Sequence, residues 1–237
     1  MKKTPLRLVG VLAVLVAAFA SATSGQAATI LGASVALSDL IGGGSVVVGD
    51  KEFTEFTYAF TGDMPPAEGV NVIPISDDDG NFGIRFQGAF QDSTFTQGGS
   101  DALLTYTVTV LDPQYLITDA HIQGNTRIVG RDQGAIGSIA VVETFLPLGV
   151  NGEFTMDIQD KKSDTEDITR LADWTTFDKG YKTLKVQKDI LAFAFTNDAT
   201  MSFVDQTFSQ EFVPEPAAVA LLALGLAGVA TGGRRRS

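Results

Sequence analysis

Cysteine is absent from this 237-residue sequence, and His121 is its only histidine. Without thiols the chain cannot use thiol catalysis, cysteine-ligated zinc or an iron–sulfur cluster. One histidine excludes a multi-histidine metal site and leaves a single way to build a Ser/His/Asp triad. Disulfides are not needed for stability, because roughly 185 residues between the two terminal segments bury enough surface for a core.

Basic residues are scarce outside the two ends of the chain. Six of the 17 lysines and arginines lie in the terminal segments, whereas all 28 acidic residues lie between Asp39 and Glu215. The intervening part therefore carries 28 acidic against 11 basic residues, a net charge of −17 at neutral pH. Such a surface repels phosphate groups, so nucleic acid is not an expected partner.

The N-terminus has the pattern of an export signal. Three basic residues precede an apolar stretch at residues 8–20, which is too short for an ordinary membrane span. Small residues follow, with Ala20-Ser21-Ala22 as the best cleavage pattern and Gly25-Gln26-Ala27 as the second choice. We therefore predict a signal peptide at residues 1–27 and export of the following domain from the cytoplasm.

The C-terminus has three parts in a fixed order. Val213-Pro214-Glu215-Pro216 comes first, followed by an apolar run at residues 217–233 and then by Arg234, Arg235 and Arg236. The run of 17 residues could just span a bilayer as a helix. The prolines keep the backbone before it extended and accessible, and the arginines hold the end on the cytoplasmic side.

This arrangement resembles the PEP-CTERM sorting signal of exopolysaccharide-producing bacteria, which a membrane protease of the exosortase type reads. The resemblance implies an exosortase-type partner, transient anchoring in the inner membrane through residues 217–233, and processing near Val213 to Pro216. It also implies delivery to the cell surface or extracellular matrix. The alternative is a plain tail anchor with an incidental Pro-Glu-Pro, which would keep the helix and the arginines. We place the sorting segment at residues 213–237.

The body of the chain alternates between apolar and polar residues with a period of two, which is typical of strands. In residues 104–110, Leu104, Tyr106, Val108 and Val110 should face a core and the intervening threonines solvent. Similar apolar faces occur in Phe56/Tyr58/Phe60, Phe82/Ile84/Phe86, Ile139/Val141/Phe145 with Glu143 breaking the face, Phe154/Met156/Ile158, Leu184/Val186, Leu191/Phe193/Phe195 and Met201/Phe203. We predict one all-β domain at residues 28–212, an antiparallel, jelly-roll-like β-sandwich.

Two local features complete the fold prediction. Asn151-Gly152 between apolar runs is the best hairpin turn. No long amphipathic helix is visible in the domain, and the only helical fragment expected is a short one at residues 165–172, where acidic residues precede Arg170.

The run Asp77-Asp78-Asp79-Gly80-Asn81 concentrates oxygen ligands. Asp77, Asp79 and Asn81 are therefore weak calcium candidates, since calcium prefers carboxylate and amide oxygens. The run does not follow the EF-hand pattern, which requires glycine where Phe82 stands. An acidic turn between strands is the favoured interpretation, and no other cofactor is expected.

Trp174, Phe177 and Tyr181 lie in a segment without clean alternation. Exposed aromatic rings beside polar groups would suit stacking on sugar rings, which have apolar faces and hydroxyl edges. The favoured interpretation is that these rings close one end of the sandwich core.

Asp119 and His121 are two residues apart, so on a strand they share a face and could form an acid/base pair. No G-x-S-x-G nucleophile motif accompanies them, and we predict that the protein is not an enzyme. The expected role is structural or adhesive within an exopolysaccharide matrix. The alternatives are a carbohydrate-binding module, which needs an exposed aromatic platform, and a polysaccharide hydrolase, which needs two close carboxylates or His121 beside a hydroxyl.

Overall fold

A computed structural model describes residues 33–96, 98–146 and 154–213. The predicted signal peptide, the Asn151-Gly152 turn and the sorting residues 214–237 lie outside the described residues. In the described part of the chain, no helix is long and apolar enough to cross a membrane.

Nearly all of the described chain forms strands, as the period-two alternation predicts. The strands are β1 (Val35–Ala36), β2 (Val46–Val48), β3 (Lys51–Thr61), β4 (Asn71–Ser76), β5 (Phe82–Asp92), β6 (Ser100–Val110), β7 (Tyr115–Gly124), β8 (Arg127–Ile128), β9 (Gly137–Leu146), β10 (Thr155–Lys162), β11 (Asp167–Arg170), β12 (Ala172–Tyr181), β13 (Thr183–Ala194) and β14 (Ala199–Phe212). One helical turn, α1 (Leu37–Leu40), and 3-10 turns at Ala67–Gly69 and Arg131–Gln133 connect them.

The strands form two antiparallel sheets. Sheet A has the order β1-β4-β5-β14-β7-β12, with β8 paired to the start of β14, and sheet B has the order β11-β10-β9-β13-β6-β3-β2. Strands β5, β6, β7 and β9 pair with β14, β13, β12 and β10 respectively, so one long antiparallel hairpin is wound across both sheets. This is the strand pattern of a jelly roll, and it confirms the predicted fold.

Aromatic side chains fill the space between the sheets. Tyr106 on sheet B has its ring centroid 5.6 Å from that of Phe86 on sheet A and 5.8 Å from that of Phe56. The predicted inward residues of β6 are all fully buried, which confirms that face. Thr107, predicted to face solvent, is only 9% exposed, because a bulge in β3 brings the Glu55 carboxylate within 2.6 Å of its hydroxyl.

The short helix predicted at residues 165–172 is wrong. Asp167–Arg170 is strand β11, which pairs with β10. Arg131 explains the difference, since its guanidinium binds Asp160 on β10 at 2.7 Å and also binds Asp167. The weak helical tendency of so short a segment gives way to the backbone hydrogen bonds that an open sheet edge offers.

The core face predicted from Leu191, Phe193 and Phe195 is also wrong, since these side chains are exposed. Strand β13 runs without a break from Thr183 to Ala194, and its inward residues are those at even positions from 184 to 192. Lys188 is therefore in the core, and the sequence pattern concealed this because a lysine interrupts the apolar face. Glu143, likewise described as breaking a face, is fully buried on the inner face of β9.

Candidate functional site

The outer face of sheet A carries a shallow depression with a volume of about 540 Å³. Its floor is formed by β5, β14, β7 and β12, and its rim by the end of β4 and the acidic turn that follows it. Its lining includes the side chains of Asp77, Arg85, His121, Gln123, Trp174, Asp205 and Thr207. We call this surface the depression.

Two rows of cross-strand neighbours build the floor. Arg85, Asp205 and Gln123 are aligned across β5, β14 and β7. In the next row Thr207, His121 and Trp174 are aligned across β14, β7 and β12. Side chains directly opposite one another on antiparallel strands share a face at about 5 Å, so each row forms a continuous polar strip.

Trp174 is the exposed aromatic residue of the depression. It lies on the edge strand β12 with 67% of its surface exposed, and its strand neighbour is His121. Phe177 points the other way, is 6% exposed, and packs its ring 5.0 Å from that of Phe145. Tyr181 is partly buried with its ring 5.8 Å from that of Phe177. The three aromatic residues are thus separated: Phe177 and Tyr181 pack at the core, and only Trp174 offers a free face.

Arg85 and Asp205 form a bidentate ion pair on the floor. Nε and Nη2 of Arg85 donate to the two carboxylate oxygens at 2.6 and 2.8 Å. The hydrogen bond to Asp205 raises the pKa of Arg85 further. The guanidinium also lies 4.2 Å from the ring centroid of Phe203. The Arg85 guanidinium and the Asp205 carboxylate are therefore held in fixed orientations on the floor of the depression.

The acidic turn is tied to the floor by its first residue. Asp77 accepts hydrogen bonds from the backbone N–H groups of Asp79 and Asn81, from the Asn81 side chain, and from Thr207 Oγ1 at 2.9 Å. Burial acts to raise the pKa of Asp77, but these hydrogen bonds outweigh it and the pKa is lowered. Asp77 therefore serves as the acceptor that fixes this turn.

The predicted calcium candidates Asp77, Asp79 and Asn81 all lie in the acidic turn. Within the described ranges, no group of three or more His, Cys, Asp or Glu side chains is arranged to hold a metal ion. Both Asp77 oxygens already accept protein hydrogen bonds. Calcium binding stays an untested prediction.

Asp119 and His121 share the outer face, as their spacing predicts. His121 Nε2 lies 3.1 Å from Asp119 Oδ1, and Asp119 also accepts the backbone N–H of Ser209. The hydroxyl aligned with His121 is that of Thr207, which donates to Asp77 instead. The arrangement orients the imidazole but supplies no hydroxyl–imidazole–carboxylate relay.

Sequence reasoning singled out Trp174, His121 and Asp77 for separate reasons and missed Arg85, Asp205 and Gln123, which lie with them in the depression. Arg85 and Asp205 are 120 positions apart, and only the strand order brings them together with Gln123. The only sequence signal for Asp205 was its alternation with the inward residues of β14, which places Asp205 and Thr207 together on the outer face.

The comparisons with known proteins concern the fold and the C-terminal segment. The enzymatically active domain of bacteriophage CBA120 tailspike protein 4 is 11% identical, with a TM-score of 0.31, over 65% of this chain and 19% of that one. The carbohydrate-binding module TmCBM61, solved with β-1,4-galactotriose, is 10% identical with a TM-score of 0.23, over 64% of this chain and 88% of that one.

A third structure, of promiscuous carbohydrate-binding modules from the β-sandwich superfamily, is 14% identical with a TM-score of 0.24, over 66% of this chain and 56% of that one. No curated protein matches the chain. Likenesses this distant transfer no function to this chain.

The C-terminal segment gives the firmer comparison. Strand β14 ends at Phe212, and the Val213 N–H still donates to the Gln114 carbonyl at 2.7 Å. The predicted sorting segment begins at this point, directly behind the last strand of the sandwich. Residues 212–236 match the PEP-CTERM protein-sorting motif, which confirms the resemblance seen in the sequence and identifies the chain as an exported protein carrying the signal for exosortase processing.

Proposed function

We propose that the exported domain is a non-catalytic carbohydrate-binding module that attaches the protein to an exopolysaccharide matrix through the depression on sheet A. The observation that carries this proposal is Trp174, which is exposed, is the cross-strand neighbour of His121, and lines the same depression as the Arg85–Asp205 pair.

The chemistry of the depression matches that of a sugar ring. A pyranose ring has apolar faces that stack on an indole and a rim of hydroxyl groups that both donate and accept. Gln123, His121 and the Arg85–Asp205 pair supply donors and acceptors on the same face of the sheet. Trp174 lies on an edge strand, so a polymer could continue past it without meeting a wall.

Binding is favoured over cleavage by the state of the carboxylates. A glycosidase needs one protonated carboxyl group as the acid and a second carboxylate nearby. Arg85 occupies both oxygens of Asp205, and hydrogen bonds hold the pKa of Asp77 below its ordinary value. Neither group is suited to donate a proton to a leaving sugar at neutral pH.

Intrinsic fluorescence tests the proposal directly, because Trp174 is the only tryptophan. We expect the emission of the mature protein to shift on titration with the polysaccharide of its host, and with galactan or xylan oligosaccharides as defined probes. Trp174→Ala should weaken retention of the protein in a polysaccharide-containing gel at least tenfold, a loss of about 1.4 kcal/mol.

Phe195→Ala is the matched control, since Phe195 is an aromatic residue that is 65% exposed and lies outside the depression. It should bind as the unmodified protein does. Equal retention of the Trp174→Ala protein would contradict the proposal, and so would release of reducing ends from any of these polysaccharides, which would show a hydrolase.

A further inference from the structure

A buried amine, carboxylate and carboxamide meet between the two sheets. Lys188 on β13 is the direct cross-strand partner of Glu143 on β9, and Lys188 Nζ binds the Glu143 carboxylate. The same Nζ donates to Gln206 Oε1 on β14 of the opposite sheet at 2.6 Å. All three side chains are fully buried. The depression does not involve this cluster, which we call the inner triad.

The surroundings of the inner triad are apolar. Gln206 lies between Ile84 and Ile122 in sheet A, and the other strand neighbour of Lys188 is Leu104. Among the residues that the structure describes, Glu143 Oε1 and the nearby Tyr106 hydroxyl have no hydrogen-bond partner. A charged pair is costly in such a place, and one free carboxylate oxygen remains available for proton transfer.

We propose that the inner triad forms an intramolecular amide bond between Lys188 Nζ and Gln206 Cδ, which joins the two sheets covalently. Lys188 Nζ attacks the carboxamide carbon to which it is already hydrogen-bonded through the oxygen. The Nζ–Cδ bond forms and the bond from Cδ to Gln206 Nε2 breaks. Glu143, in its neutral form, gives its proton to the departing nitrogen, which leaves as ammonia, and takes the proton of the attacking amine in return. Glu143 is thus regenerated, and no oxidant or other reactant is needed.

The protonation states support this reaction. Burial lowers the pKa of Lys188 and raises the pKa of Glu143, and their mutual attraction only partly opposes both shifts. Both shifts favour a neutral amine beside a neutral acid, and the neutral amine is the nucleophilic form of lysine.

A second lysine provides an internal control. Lys51 is also buried, and its Nζ donates to Gln210 Oε1 at 2.9 Å and to Asp50 at 3.1 Å. Gln210 and Asp50 both keep contact with solvent, unlike the partners of Lys188. A pair that water reaches lacks the desolvated acid, so Lys51 and Gln210 should stay unlinked.

Mass spectrometry of the mature protein, recovered from cells that express the full chain, tests the proposal. With both termini mapped, the denatured protein should be lighter than its sequence by one ammonia. Trypsin should fail to cut after Lys188. Because no other lysine or arginine lies between residues 186 and 213, the digest should contain one internally cross-linked peptide that begins at Val186 and holds both Lys188 and Gln206. Linear peptides with unmodified Lys188 and Gln206 would overturn the proposal, as would a link from Lys51 to Gln210 in its place.

Two variants assign the roles of the side chains. Glu143→Gln removes the proton carrier with little change of shape, and we expect linear peptides and the full mass. Gln206→Glu changes the leaving group, so the linked product should be lighter by one water instead of one ammonia. An internally cross-linked peptide in the Glu143→Gln protein would overturn the role of Glu143. If either variant fails to fold, the peptide map of the unmodified protein decides the question alone.

Discussion

Strand β14 presents Asp205 and Thr207 on the outer face of sheet A, and Gln206, which lies between them in sequence, on the inner face. Outside, Asp205 pairs with Arg85, whose side chain is 34% exposed. Inside, Gln206 meets the Lys188–Glu143 pair, in which neither side chain is exposed at all. Both faces hold a basic side chain beside an acidic one, and water reaches only one of the two pairs.

Solvent exposure changes what a contact between a basic and an acidic side chain can contribute. An ion pair at a surface is screened, contributes little to stability, and can exchange its hydrogen bonds with a ligand. An ion pair between the sheets has no such exchange, so its members must stay paired or become neutral. We therefore expect the outer pair to influence binding and the inner pair to influence folding.

The largest expected effect comes from breaking the inner pair. Lys188→Met should lower the free energy of unfolding by about 3–5 kcal/mol, because Glu143 is left buried without a partner. The double variant Lys188→Met/Glu143→Leu should recover much of this loss, since neither charge remains. Urea unfolding measures both. A double variant as unstable as the single one would contradict this explanation.

Breaking the outer pair, Arg85–Asp205, should affect stability less than breaking the inner pair does, and should affect ligand binding more. Arg85→Ala should cost at most about 1 kcal/mol of stability, because the pair it breaks is partly exposed. Polysaccharide binding should nevertheless fall about tenfold, since Asp205 loses its fixed orientation. The matched control is Lys161→Ala on β10, which breaks a partly exposed ion pair with Glu166 outside the depression. Loss of binding in the control would remove the distinction between the two sites.

The smallest effect concerns pH at the rim of the depression. The pKa of Asp77 is lower in the folded chain than its ordinary value of 3.8. As pH falls, the unfolded chain takes up this proton first, so the stabilisation is complete above that value and is lost as pH falls through the folded pKa. The thermal unfolding midpoint should therefore fall less on acidification in Asp77→Asn than in the unmodified protein. An Asp77→Asn protein that loses stability on acidification as steeply as the unmodified protein would contradict this role of Asp77.

The fold was largely predictable because the apolar faces of most strands obey a period of two. Residues 104–110 show this best, since their apolar members are all buried. The prediction failed where chemistry overrides the pattern. Lys188 and Glu143 occupy inward positions that a hydrophobicity rule assigns to solvent, and only their mutual pairing makes those positions tolerable.

The candidate site was predictable only in part. Trp174 could be singled out because an aromatic residue in a segment without alternation is unusual, and the sorting motif could be read directly because its three parts are contiguous. Arg85 and Asp205 could not be connected, because their contact depends on β5 and β14 being neighbours in the sheet. Long-range strand order is set by the packing of the whole sandwich and leaves no local trace.

Strand β14 also determines how the domain meets a mechanical load. It is paired along both edges, with β5 and with β7, and it leads directly into the C-terminal sorting segment. Tension applied through that segment would pull β14 along its own axis, and hydrogen bonds in an antiparallel ladder run perpendicular to that direction. Two ladders would have to shear at once for the strand to leave, whereas an edge strand such as β12 could be peeled away one bond at a time. A pulling force on the C-terminus therefore acts along β14, where two hydrogen-bond ladders resist shear together.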